Sequence, residues 1–161
     1  MKWKYSGINV LRGAVIYTCG DSIAALLLGE FQWSRLLGLG LVGATFYAFE
    51  IPNYFNWIER KVAGRQGLKA SLCKTALAML YFNPVWIARH LFFIELFSGR
   101  VEDISWGLMR AALFSFLANI PISLLGNYFI QNVIRLRWRF LASAVFSALM
   151  AIYYAVSRVL F

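Results

Sequence analysis

The stretch Leu108–Val133, LMRAALFSFLANIPISLLGNYFIQNV, decides the fold. As a helix rising ~1.5 Å per residue it is long enough to cross the ~30 Å hydrocarbon layer of a bilayer, and Arg110 is its only charged residue. The apolar run is continuous and lacks the two-residue alternation of a barrel strand. Backbone groups facing lipid have no water to bond, so such a run is read as a helix whose hydrogen bonds close within itself.

Four further stretches flank it: Ile8–Gly29, Leu36–Ile58, Leu72–Phe97 and Phe140–Phe161. Each is long enough to span a bilayer. Of the 161 residues, 61% are hydrophobic and 14% charged, with a mean hydropathy of +0.65. Soluble chains average roughly 45–50% apolar, and a small soluble domain could not hide the surplus. The expected fold is all-α: one integral membrane domain over residues 1–161, a polytopic transmembrane bundle of about five hydrophobic helices, giving four to five spans.

Two signals set the boundaries. Trp3, Trp33, Trp57, Trp106 and Trp138 stand at stretch edges, where an amphipathic ring suits the headgroup level, and only Trp86 lies inside a stretch. The cations alternate in sidedness. With the N-terminus on one face, that face holds Lys2, Lys4, Arg12, Arg60, Lys61, Arg65, Lys69, Lys74, Arg135, Arg137 and Arg139. The other holds Arg35, Arg100, Arg110 and Arg158. That asymmetry puts the N-terminus on the cytoplasmic side or its equivalent. The net charge of +9 thus fits anionic lipid headgroups, contacted by Lys61, Arg65, Lys69, Arg135, Arg137 and Arg139. No basic face interleaved with stacking aromatics lies outside the apolar runs, which argues against nucleic acid.

The basic-then-apolar start resembles a signal peptide, but Asp21 interrupts it and no small-residue cleavage site follows, so it reads as a retained first span. Cys19 and Cys73 are far apart and the one histidine is His90, so neither a zinc site nor any other metal site is expected. No Ser/His/Asp set, HExxH or nucleotide-binding loop is present, and neither enzymatic activity nor a cofactor is expected. Small residues at spacing four (Gly20 and Ala24; Gly40 and Ala44; Ser147, Ala151 and Ala155) mark close helix contacts.

All three prolines fall inside the stretches. Pro52, Pro84 and Pro121 are expected to kink their helices and to free the carbonyls of Ala48, Leu80 and Leu117. Polar residues accompany them: Glu50-Ile51-Pro52, Asn83-Pro84 and Asn119-Ile120-Pro121, an echo short enough to arise by chance. Counted from Gly13, Asp21 lies ~12 Å from the N-terminal face, as does Glu50 counted from Ile58. Asp21, Glu50, Asn83 and Asn119 are therefore expected to share one polar layer and line a pathway, since ionisable groups at that depth must turn inward. In such a layer Asp21 and Glu50 would titrate as a coupled pair. The alternative is that each caps or bonds a neighbouring helix.

Residues 13–60 carry a resemblance to a known family. Gly20-Asp21, Arg35, Gly43, Pro52 and Trp57 with the charged residue after it resemble the opening half of the Mpv-seventeen / twenty-two-kilodalton peroxisomal membrane protein family. Further on, Pro84, Pro121 with Asn127, Arg139 and Tyr153 resemble its later positions. Ala25 stands where the family usually has glutamine, Ile120 replaces a tryptophan, Arg135 a proline and Met150-Ala151 a Trp-Asn pair, the pattern of a divergent member, with a bacterial origin one option. The resemblance implies a multi-span protein with channel-like permeability to small solutes. It implies a bacterial inner membrane or, in a eukaryote, a mitochondrial inner or peroxisomal one. Two functions follow as expectations: a channel or facilitator for small hydrophilic solutes, or a non-transporting structural or regulatory protein that binds anionic lipid or a protein partner. The bilayer, anionic lipids, a small hydrophilic solute or ion and, as one option, further copies of the chain are the expected partners.

Overall fold

A computed structural model describes residues 4–160, with side chains through residue 152. Lys2, Trp3, Phe161 and the side chains of Tyr153, Ala155 and Arg158 lie outside the described residues.

The described chain is all-helical: α1 (Gly7–Leu27), α2 (Trp33–Val42), a π turn (Gly43–Tyr47), α3 (Ala48–Lys61), α4 (Gly67–Tyr81), α5 (Pro84–Phe97), α6 (Trp106–Asn132) and α7 (Leu136–Leu160), with a short 3-10 turn at Val101–Asp103. Among the described residues, three segments are long and apolar enough to cross a membrane: Gly7–Leu27, Gly67–Phe97 and Trp106–Asn132. Trp33 and Trp106 open α2 and α6 and are exposed, at 72% and 85%. Such large exposed apolar surface suits a lipid solvent.

The second apolar stretch is realised as α2, the π turn and α3 in direct succession. Pro52 and Pro121 sit within α3 and α6. Pro84 does not kink a helix. The third stretch breaks at Phe82–Asn83, and Pro84 opens α5 in its first turn, where a missing N–H costs nothing. The Leu80 carbonyl, which a continuous helix would have left open, accepts a bond from Asn83 Nδ2 at 2.9 Å.

The helices group into two compact units. One takes the chain up to Asn53 together with the part from Phe140 on; the other is Tyr54–Arg139. In the first, α1 runs antiparallel to the α2–π–α3 segment, and four contacts fix the register. Lys4 N–H donates to Asn53 Oδ1 at 3.0 Å, and Asn53 Nδ2 donates back to Lys4 O at 2.8 Å. Gly13 faces Gly43 so closely that a Cβ on either would fall 2.1–2.4 Å from the other's carbonyl oxygen. A Cβ on Gly40 would meet Thr18 Oγ1 at 2.6 Å, and Asp21 meets Arg35. On the far side of α1 a Cβ on Gly20 would reach Ala148 of α7 at 2.4 Å. Small residues thus do bring helices together, and the residue of α7 that faces Gly20 is Ala148.

In the second unit α6 packs against both α4 and α5. Tyr54 donates its hydroxyl to Leu77 O at 2.8 Å and lies against the rings of Trp57 and Tyr81. Asn132 reaches from the end of α6 to Thr75 Oγ1 and Ser71 O on α4, both at 3.4 Å.

The Gly13–Gly43 crossing is a backbone contact, so neither neighbour can yield as a flexible side chain would. We expect Gly13→Val to destabilise the protein by about 1–3 kcal/mol, the usual cost of overpacking. Gly7→Ala, which meets nothing within 4 Å, should be neutral. Thermal unfolding of both variants in detergent checks this; equal transitions would contradict the packing assigned to Gly13.

Candidate functional site

Asp21 is placed by its helix and held by its neighbour. It lies six residues before the end of α1, close to the turn into α2, where Arg35 is the third helical residue. The guanidinium grips the carboxylate bidentately, Nε to Oδ2 at 2.8 Å and Nη2 to Oδ1 at 2.7 Å. Both side chains are buried, Asp21 6% and Arg35 4% exposed. Glu30, more exposed, comes to 3.6 Å of the same guanidinium. Two parallel charge-assisted bonds are the geometry that best offsets burying both charges.

This arrangement corrects the expectation of a coupled Asp21–Glu50 pair. Counting depth from Gly13 misplaced Asp21, because α1 begins at Gly7 and runs against the α2–α3 segment. With Lys4 opposite Asn53 and Gly13 opposite Gly43, Glu50 stands level with the first turn of α1, roughly 20 Å along the helix from Asp21. Opposite charge, and not a second carboxylate, is what Asp21 meets. Glu50 is half-buried.

Asn83 also has a local task. Its Oδ1 accepts from Trp86 N–H at 3.1 Å, so it caps α5 as it closes the Leu80 carbonyl. His90 stacks on Trp86, and Glu95 pairs with Arg100 at 2.5 Å. Of the residues expected to contact headgroups, Lys61, Arg65, Lys69, Arg135 and Arg137 are exposed. Arg139 is not: it is buried, with Nε on Ile134 O at 2.9 Å and a short bond to Glu59 Oε1.

Glu59, just past the apolar stretch that ends at Ile58, is the hub of the second polar cluster. Lys74 Nζ, at 2.8 Å, and Arg139 Nη1 both bond its Oε1, and Arg139 Nη1 also reaches Gln131 Oε1 at 3.4 Å. Burial acts to raise the Glu59 carboxyl, but the bonds from Arg139 and Lys74 outweigh it and hold it below the ordinary 4.5.

Asn119 belongs to an array that the sequence reading did not single out. Ser115, Asn119, Ser123, Asn127 and Gln131 recur at spacing four along α6. Asn119, Asn127 and Gln131 are buried and the two serines half-buried, while Leu113, Phe114, Leu117, Leu124, Leu125 and Phe129 are exposed. A soluble helix does the reverse. Asn119 Nδ2 donates to Ser115 O at 2.8 Å and Asn127 Nδ2 to Ser123 O at 2.9 Å, one turn back in each case. The amide donors thus serve their own helix, and the carbonyl oxygens form the outward ends of these rungs. Gln131 is fully buried, and its Nε2 has no hydrogen-bond partner among the described residues. The spacing of four was present in the sequence; a search for polar residues along the i, i+4 ridge of an apolar helix would have found it.

No family model matches the chain, and neither a curated protein nor a solved structure matches it significantly. What the fold itself defines is an all-helical integral membrane protein.

Two predictions follow from these clusters. Arg35→Leu strands a buried carboxylate and should cost about 3–5 kcal/mol, whereas Asp21→Leu combined with Arg35→Leu should recover most of it. Chemical unfolding in detergent measures both, and a double variant as unstable as the single one would contradict a buried pair. For Glu59 the folded value lies below the unfolded one, so its stabilising contacts are complete above the ordinary carboxylate value and are lost as pH falls through the folded value. Thermal transitions taken from neutral pH into the acid range should fall for the natural chain and fall less for Glu59→Gln.

Proposed function

We propose that the chain is a channel or facilitator for small hydrophilic solutes, and that the polar ridge of α6 lines its path. One observation carries this: a helix long enough to cross a membrane turns its amides and hydroxyls toward protein and its leucines and phenylalanines outward. From Ser115 to Gln131 the ridge extends ~24 Å, most of the ~30 Å hydrocarbon depth. Intramembrane polar groups facing a bundle interior are the usual mark of a solute pathway. In this reading Asn119 is a rung of the lining. Asp21 becomes a strut, Asn83 a helix cap, and Glu50 no longer defines the lining.

Four to five spans accompany this reading. The α2–π–α3 segment and α7 add to the three long apolar segments, with the N-terminus on the more basic, cytoplasmic-equivalent side. Membership of the Mpv-seventeen / twenty-two-kilodalton peroxisomal membrane protein family belongs to the proposal too. What supports it is that its motif positions have structural work here: Asp21 pairs with Arg35, Gly43 crosses Gly13, Gly20 meets Ala148, and Asn127 is a rung of the ridge.

The second reading is a non-transporting scaffold that binds anionic lipid. It is favoured by the exposure of Lys61, Arg65, Lys69, Arg135 and Arg137.

Osmotic shrinkage of proteoliposomes separates the two. The purified full chain should admit small hydrophilic solutes faster than protein-free vesicles, and Asn127→Leu should slow that entry about tenfold, the value of one lost hydrogen bond near its upper range. Entry no faster than in protein-free vesicles for every solute, with stability that rises on adding anionic lipid, would favour the scaffold.

A further inference from the structure

We infer that the solute is a neutral, polyhydroxylated molecule, bound at the Gln131 end of the α6 ridge before it passes. The inference rests on the channel reading and adds the chemistry of what is carried.

The first ground is charge. No charged residue occurs in α6 after Arg110, so the ridge from Ser115 to Gln131 offers no counter-ion to a passing ion. Moving an ion along such a wall forfeits its hydration without replacement, whereas a neutral molecule loses only hydrogen bonds that amides and hydroxyls can return. Geometry is the second. Asn119 and Asn127, their donors turned back to Ser115 O and Ser123 O, present carbonyl oxygens two helical turns apart, ~12 Å along the axis. A cation such as calcium needs about six or more oxygens converging on one point, and an anion needs converging donors; a single-file ridge supplies neither. Spaced acceptors alternating with serine hydroxyls suit a molecule that carries a hydroxyl on each carbon, because every hydroxyl both donates and accepts.

The third ground is the orphan at the end of the ridge. Gln131 is fully buried, its Oε1 faces Arg139 Nη1 at 3.4 Å, and its Nε2 donor has no partner among the described residues. An unmet buried donor carries a desolvation cost, and a hydroxyl oxygen of the solute relieves it where an aliphatic group cannot. At that end Glu59, the carboxylate of the cluster, is already bonded by both Lys74 and Arg139, so it is not offered to a passing cation.

The test compares erythritol with inorganic phosphate and potassium on the same proteoliposomes, the first by stopped-flow shrinkage and the ions by uptake and conductance. Erythritol should enter more than about a hundredfold faster than either ion, reflecting the desolvation cost of the ions. Gln131→Met, close in volume, should slow erythritol roughly fivefold, the value of one hydrogen bond, while Leu125→Met on the exposed face leaves it unchanged. If phosphate or potassium passes as fast as erythritol, the inference falls and the channel stands. Unchanged erythritol entry in Gln131→Met removes the binding step. If nothing passes, the channel reading falls and the inference with it.

Discussion

A polar group carried into an apolar solvent must find its partner inside the protein, and this chain meets that demand repeatedly in one way. Thr45, Asn53, Thr75, Asn119, Asn127 and Asn132 each donate to the backbone carbonyl four residues earlier. The bond is local, needs no neighbouring helix, and closes at any depth. It lets helices of this apolarity carry amides without exposing donors to hydrocarbon. Helices can then be arranged by contacts that are few and specific.

Those contacts differ in kind between the two units. Around α1 they are steric and ionic. Gly13 and Gly43 let two backbones touch, Asn53 clasps the backbone of Lys4 through both ends of its amide, and the Asp21–Arg35 pair fixes the level at which α1 and α2 meet. In lipid, apolar burial gives helices little reason to associate, so close backbone approach and buried polar bonds decide the geometry. In the unit from Tyr54 to Arg139, polar reach replaces close approach: Tyr54 to the Leu77 carbonyl, Asn132 to Ser71 and Thr75, and Glu59 between Lys74 and Arg139.

The functional proposal stands on the surplus. Asp21 and Asn83, which looked like pathway residues, have bracing tasks. The α6 ridge is different, because the amide donors of Asn119 and Asn127 brace their own helix and Gln131 ends it with a donor that no described residue answers. Asn119 and Asn127, bonded to their own helix, and the Gln131 donor are the groups available to a solute.

How much of this was legible beforehand depends on how far apart the deciding residues are. Helical class, apolar lengths and most boundaries follow from composition and runs of single residue types, which are local; α6 falls at Trp106–Asn132 against the Leu108–Val133 that the apolar run alone marks. Even the α6 ridge was written in the sequence as a spacing of four. Partner choice was not. Whether Asp21 meets Glu50 or Arg35 depends on where α1 starts and on the antiparallel register set at Gly13 and Gly43, which leaves Glu50 roughly 20 Å away. That Arg139 is buried against Glu59, and that the Gln131 amide donor meets no described residue, likewise arise from residues distant in the chain. Sequence alone determined that these helices need lipid, because the free energy of apolar surface sums residue by residue; only the tertiary structure decided which polar groups are satisfied, because a hydrogen bond depends on the placement of two groups at once.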